Sequence, residues 1–119
     1  MSGPFQAAGT HLLADLHGVP ATPLMDAAKI EAVLRAASEA AGARILHGHF
    51  HAFGPEQGVT GVLLLAESHI SIHTWPEAGF AAVDNFMCGA ARPQLALDCI
   101  RQALQPAGAQ VRAVARGLA

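Results

Sequence analysis

One polar stretch interrupts the apolar middle of the sequence and carries residue types that do chemistry. It runs from Glu67 to Glu77 (ESHISIHTWPE) and directly follows the apolar run VTGVLLLA, residues 59–66. Hydroxyl, imidazole and carboxyl groups perform nucleophilic attack and proton transfer in enzymes. Functional residues favour interruptions between rigid elements, so the stretch is a candidate reactive site. The alternative is structural: the exposed face of an edge strand, with a β-bulge at Glu67-Ser68.

Histidine is plentiful, and three of the seven histidines alternate along one predicted strand. His47, His49, His51 and Phe53 fall on one face of that strand, because successive strand side chains point to opposite faces. Imidazoles at this spacing could bind zinc, but no cysteine pair or carboxylate lies beside them in the sequence. The favoured interpretation is a solvated or interface face, and no metal site is predicted.

The two cysteines, Cys88 and Cys99, are too few for a disulfide scaffold, so both are predicted to be free thiols. Cys88 ends a predicted strand before Gly89, where a thiol can be partly exposed and acidic enough to transfer a proton. A small buried hydrophobe is the alternative for Cys88. Cys99 lies on the inward face of a predicted helix, which indicates packing.

Charge and composition exclude several classes of protein. The 119 residues suit one domain, and 7 Lys+Arg against 9 Asp+Glu give a net charge of −2, which predicts neither nucleic acid nor a membrane as a partner. No apolar run reaches the roughly 18–20 residues of a membrane span, and the start MSGPFQAAGTH is unlike a signal peptide, which predicts a cytoplasmic protein. With Lys29 as the one lysine and no Gly-rich phosphate loop, pyridoxal-phosphate chemistry is disfavoured.

Residue periodicity predicts an α+β fold that would position these groups. Apolar residues recur at helical spacing over 24–41, after an N-cap at Thr22, and over 93–104. The predicted inward residues of the second helix are Leu95, Cys99, Ile100 and Ala103. Strands are predicted at 10–16, 44–53, 59–66, 69–75, 80–87 and 110–115. The simplest packing is a two-layer α/β sandwich, with both helices on one face of a mostly antiparallel sheet.

The stretch from Val59 to Gly89 (VTGVLLLAESHISIHTWPEAGFAAVDNFMCG) resembles prokaryotic S-adenosylmethionine decarboxylase proenzymes, which are small and pyruvoyl-dependent. The resemblance extends to GTHLLAD at residues 9–15 and to FHAF at residues 50–53, so it covers nearly the whole chain. The string E-S-H-x-x-I-H-T-W-P-E with a downstream Cys-Gly is long and specific.

The resemblance implies that the chain cleaves itself between Glu67 and Ser68, giving chains 1–67 and 68–119. The Ser68 hydroxyl would attack the preceding carbonyl in an N→O acyl shift. Elimination of the resulting ester and hydrolysis of dehydroalanine would leave a pyruvoyl group at position 68. This covalent, self-generated cofactor would form a Schiff base with the substrate amine and act as the electron sink in decarboxylation.

Further roles are implied residue by residue. His73 would assist processing, and Cys88 would protonate the product carbon. Glu77 would bind ribose hydroxyls and Phe53 would stack on adenine. Glu67 supplies the cleaved carbonyl, and its side chain could also orient the substrate.

One position departs from the family pattern. The family usually has serine where this chain has Thr60, at a place that helps processing. Threonine keeps the hydroxyl but adds a methyl group and restricts χ1. We therefore expect processing to survive, at a lower rate.

The implied function is conversion of S-adenosylmethionine to the aminopropyl donor of spermidine and polyamine biosynthesis, by a homodimer of processed proenzymes. One alternative keeps the pyruvoyl chemistry but acts on a basic amino acid, ornithine or arginine. Another is a non-enzymatic, unprocessed relative that acts as a binding or regulatory subunit.

Overall fold

The sheet is the organising element of the fold, which the computed structural model describes for residues 7–117. Residues 1–6, which belong to the segment predicted not to be a signal peptide, and residues 118–119 lie outside the described part. The sheet has six strands in the order β2-β3-β4-β5-β1-β6, and every neighbouring pair is antiparallel. The strands are β1 (Ala8–His17), β2 (Ile45–Ala52), β3 (Val59–Leu65), β4 (Ser68–Trp75), β5 (Phe80–Cys88) and β6 (Gly108–Gly117).

Three helices complete the described chain: α1 (Ala21–Leu24), α2 (Ala27–Ala41) and α3 (Pro93–Leu104). The predicted N-cap at Thr22 is wrong, because a short separate turn, α1, occupies this segment. The cap of α2 is Asp26, whose side chain accepts a hydrogen bond from the Lys29 amide at 3.1 Å. Gly42, at φ 76°, ends α2 in the left-handed conformation that glycine tolerates. None of the described helices has the length and apolar character needed to cross a bilayer.

The helices bury one face of the sheet, as predicted, but α3 is rotated relative to the sequence-based assignment. Its buried residues are Ala96, Leu97, Ile100 and Leu104. Leu95 is 40% exposed and Ala103 is also exposed, while Cys99 packs at the margin of the core. Two helical stripes of similar composition compete here. The stripe with the larger aliphatic side chains faces the core, where burial stabilises most.

The opposite face of the sheet, here called the open face, carries no helix within residues 7–117. Strand alternation places there the side chains at His69, Ser71 and His73 of β4, whose intervening isoleucines are buried. All seven histidines project from this face. It also carries five exposed large apolar residues: Leu13, Phe53, Leu64, Trp75 and Val114.

Thr74 ties the β3–β4 hairpin to the helical layer. Its buried Oγ1 accepts a hydrogen bond from the Val59 amide at 2.8 Å and donates one to the Leu24 carbonyl at 2.7 Å. The hydroxyl thereby satisfies a buried donor and a buried acceptor from different layers.

We expect Thr74→Val to lower the free energy of unfolding by about 1–3 kcal/mol, because both backbone groups lose their partner in the interior. Urea denaturation measures this in a Ser68→Ala background, where the predicted cleavage cannot interrupt the chain. The matched control is Thr22→Val at an exposed position, which should change stability by less than about 0.5 kcal/mol. Equal effects of the two substitutions would contradict this role for Thr74.

Candidate active site

The predicted cleavage bond lies in the tightest connection of the sheet. Ala66 and Glu67 form the two-residue turn that joins β3 to β4, and Leu65 pairs with Ser68 across it. Glu67 adopts φ 52°, a left-handed conformation that costs a non-glycine residue roughly 1–2 kcal/mol. The interruption is therefore a strained hairpin turn, which overturns the alternative of a β-bulge.

The groups on either side of this bond are arranged for acyl chemistry. The Oγ atom of Ser68 is buried and has no hydrogen-bond partner among the described residues. The Cys88 thiol, on the neighbouring strand β5, donates to the carbonyl oxygen of Glu67 at 3.3 Å. Cys88 is 6% exposed, so the prediction of a partly exposed thiol is wrong. The arrangement places an unpaired nucleophile next to a polarised carbonyl.

A second group of predicted residues lines a pocket at the other end of β4. Thr60 Oγ1 lies 3.1 Å from Nδ1 of His73. Phe53, which is 56% exposed, and Glu77 line the same pocket of about 580 Å³. Trp75, which we did not single out from the sequence, is a further wall of the pocket. An imidazole, a hydroxyl, a carboxylate and two exposed aromatic rings suit a flat polar ligand.

One chain does not bring these two groups together. Ser68 and His73 lie five residues apart on β4, which is roughly 16 Å along an extended strand. Ser68 also alternates with the buried Ile70, whereas His73 projects from the open face. The residues predicted as one site therefore form two half-sites: Glu67, Ser68 and Cys88 in the first, and Phe53, Thr60, His73 and Glu77 in the second.

A polar cluster that was not predicted from the sequence lies beside the first half-site. Asp84 accepts hydrogen bonds from Ser71 Oγ, from His11 Nε2 at 2.5 Å and from His69 Nε2 at 3.0 Å. Burial alone would raise the pKa of the Asp84 carboxyl, but these hydrogen bonds outweigh it and lower that pKa below its ordinary value of 3.8. Arg116 Nη1 lies 3.3 Å from His11 Nδ1 and extends the cluster to β6.

Potential metal ligands occur in this cluster and not in the predicted histidine row. His47, His49 and His51 are exposed on the edge strand β2 and share the open face, as predicted. The nitrogens of His11 and His69 and an oxygen of Asp84 lie within 4.8 Å of one another. Because Arg116 can only donate, His11 Nδ1 accepts its hydrogen bond. The other nitrogen of His11, Nε2, therefore carries a hydrogen and donates it in a hydrogen bond to Asp84. Hydrogen bonds to Asp84 and from Arg116 therefore explain why these side chains lie together, without a metal ion to hold them.

Comparison with known proteins gives this geometry a family. The family model for S-adenosylmethionine decarboxylase matches residues 10–117. The chain belongs to the S-adenosylmethionine decarboxylase family. It is 42% identical over 111 residues to the S-adenosylmethionine decarboxylase proenzyme of Sulfurihydrogenibium sp. (strain YO3AOP1), covering 92% of this chain and 83% of the relative. The corresponding proenzyme of Methanococcus aeolicus is 44% identical over 110 residues, covering 92% and 93%.

A solved structure from the same family supports the fold. The crystal structure of the adenosylmethionine decarboxylase from Aquifex aeolicus VF5 superposes with a TM-score of 0.86 at 39% sequence identity. The match covers 96% of this chain and 94% of that one. The six-stranded sheet with helices on one face is therefore the fold of an S-adenosylmethionine decarboxylase, which confirms the predicted α+β sandwich.

The lowered pKa of Asp84 predicts a stability change in acid. A carboxyl group with a native pKa below its unfolded value stabilises the fold above about pH 4, and this contribution is lost as pH falls through the native pKa. In the uncleaved Ser68→Ala background, Asp84→Asn should therefore lower the free energy of unfolding at pH 5, by about 1–2 kcal/mol. Urea denaturation should show the deficit shrinking by pH 2.5. A deficit of constant size would contradict the assignment.

Proposed function

We propose that this chain is a self-processing, pyruvoyl-dependent decarboxylase of S-adenosylmethionine, which makes the aminopropyl donor for polyamine biosynthesis. The observation that carries the proposal is the contact between the Cys88 thiol and the Glu67 carbonyl, in a strained turn next to the unpaired Ser68 hydroxyl. Membership of the decarboxylase family supports the substrate.

Processing begins with the geometry of the turn. Ser68 Oγ closes a five-membered ring on the carbonyl carbon of Glu67, and negative charge develops on the Glu67 oxygen. The Cys88 S–H stabilises that charge. Expulsion of the amide nitrogen, which takes up the serine proton, leaves Glu67 esterified to Ser68 Oγ. Release of the left-handed φ at Glu67 favours this step.

Elimination then separates the two chains. A base removes the α-proton of residue 68, the Cβ–Oγ bond breaks, and Glu67 leaves as the new carboxylate terminus of chain 1–67. Water replaces the resulting enamine nitrogen, ammonia departs, and residue 68 becomes the pyruvoyl terminus of chain 68–119. The His73 imidazole, held through Nδ1 by the Thr60 hydroxyl, is the proposed base.

The residues around position 68 fit a pyruvoyl group. The buried Ser68 oxygen has no hydrogen-bond partner among the described residues, so its conversion to a keto group would leave no other group unpaired. Once formed, the group supplies the electron sink for loss of CO2. Cys88 lies one strand away and donates the proton that replaces the lost carboxylate on the product carbon. Glu77 and Phe53, with Trp75, bind the nucleoside.

The proposed chemistry needs a homodimer. A base on His73 cannot reach the α-proton of its own Ser68, roughly 16 Å away along β4. The second half-site projects from the open face, and the first reaches it through Cys88. Leu64 and Trp75 on this face are 49% and 43% exposed. A two-fold dimer through the open faces joins the first half-site of one copy to the second half-site of the other, and buries this apolar surface.

The alternatives fit the pocket less well. A basic amino acid such as ornithine or arginine does not need two flat aromatic walls, whereas an adenine base does. A non-enzymatic, unprocessed relative would keep a strained Glu67 and an unpaired buried hydroxyl at a cost in stability and with no function for either.

Intact-mass spectrometry tests the proposal directly. The wild-type protein should separate into chains 1–67 and 68–119, and hydrazine should trap a keto group on the second. Ser68→Ala should remain whole, whereas Ser68→Cys, which keeps a nucleophile, should restore part of the cleavage. Cys88→Ala should slow cleavage roughly 10²- to 10³-fold, as loss of one oxyanion donor does.

Measurement of CO2 release identifies the substrate. Cleaved wild-type protein should release CO2 from S-adenosylmethionine and not from ornithine or arginine. A whole wild-type chain without a keto group would contradict the enzyme hypothesis, and CO2 from a basic amino acid alone would contradict the substrate.

A further inference from the structure

We propose that the pocket beside the first half-site binds the carboxylate of the substrate, with Arg116 as its cation. This inference rests on the proposed function and adds a subsite to it. The pocket opens on the open face, has a volume of about 400 Å³, and has His11, His69, Phe86 and Arg116 in its walls.

Strand register places this pocket next to the reacting groups. Arg116 pairs with Gly9, and Gly9 pairs with Cys88, so the three residues form one row across β6, β1 and β5. The adjacent row contains His11, Phe86 and His69. Because residues in adjacent same-face rows are roughly 7 Å apart, the pocket walls formed by Phe86 and His69 lie one row from Cys88.

Gly9 leaves space for the Phe86 ring beside the pocket, because it has no side chain. A Cβ atom at this position would lie 2.7 Å from the tip of the Phe86 ring, so the ring rests where a side chain would otherwise stand. Within this row, the edge of the Phe86 ring is the group that lies between Arg116 and Cys88.

The charge of the pocket selects an anion. Arg116 forms no ion pair with a carboxylate within residues 7–117. The one carboxylate of the cluster, Asp84, already accepts hydrogen bonds from Ser71, His11 and His69. His11 Nδ1 accepts one N–H of Arg116 at 3.3 Å and holds the guanidinium over the pocket, and its other N–H groups remain to bind a carboxylate.

The chemistry of the reaction requires such a subsite close to Cys88. The carboxylate leaves the same carbon that Cys88 then protonates, so its place must be near the thiol. Because the negative charge departs with CO2, a cation that binds it stabilises the bound substrate more than the transition state. Arg116 is therefore a substrate-binding residue whose loss raises KM and leaves kcat unchanged or higher.

The test compares the substrate with its own decarboxylated product, which lacks the carboxylate. In the cleaved enzyme, Arg116→Met should raise KM for S-adenosylmethionine about tenfold, the effect of losing one charge-assisted hydrogen bond. The inhibition constant of the product should stay within about twofold of wild type, and kcat should be unchanged or higher. For Arg116→Lys, the KM for S-adenosylmethionine should lie between those of the wild type and Arg116→Met. The matched control is Arg112→Met, on the same face of β6 four residues earlier and outside the pocket.

Several results would overturn the subsite. The first is a KM for Arg116→Met equal to that of Arg112→Met. The second is an inhibition constant for the product that rises in parallel with KM, and the third is a fall in kcat at constant KM. Loss of self-cleavage in Arg116→Met would also overturn it, because the residue would then act before substrate binds. A wild-type enzyme that is cleaved but releases no CO2 from S-adenosylmethionine would instead overturn the proposed function, and the subsite with it.

Discussion

The two-residue turn between β3 and β4 is the constraint on which the rest of the site depends. So short a connection forces Glu67 to φ 52° and fixes Ser68 as the first residue of β4. Pairing of β4 with β5 then brings the Cys88 thiol to 3.3 Å from the Glu67 carbonyl oxygen. Backbone strain, a hydrogen-bonded carbonyl and a nucleophile thus meet at one peptide bond.

The same strand that creates this site also divides it. Rigid β4 carries the Ser68 group at one end and the His73 pocket at the other, on opposite faces, so no side-chain rotation can unite them. The proposed dimer resolves this difficulty, because the exposed apolar residues of the open face favour a second copy of the chain. His73 projects from this face, and the first half-site reaches it through Cys88. In this proposal, self-cleavage, substrate binding and dimerisation share one surface.

Local pattern was sufficient to predict much of the fold and site. Alternation located the strands, and the polar interruption at Glu67-Ser68 located the reactive turn. The turn type was not predictable, since a bulge and a tight hairpin share the same residues. The predicted inward face of α3 was wrong because Leu95 and Leu97 lie on competing stripes, and only packing against the sheet decides which stripe is buried. Arg116 and His11 were missed because they are 105 residues apart, and their contact depends on β1 lying between β5 and β6.

Division of the site between two copies of the chain is the central claim, and complementation tests it most directly. Ser68→Ala and His73→Ala chains carrying different tags are expressed together, and the mixed dimer is purified through both tags. A site shared between two copies predicts that each variant alone stays whole, and that in the mixed dimer the His73→Ala chain is cut between Glu67 and Ser68, as mass spectrometry would show. A mixed dimer in which the His73→Ala chain stays whole would contradict it.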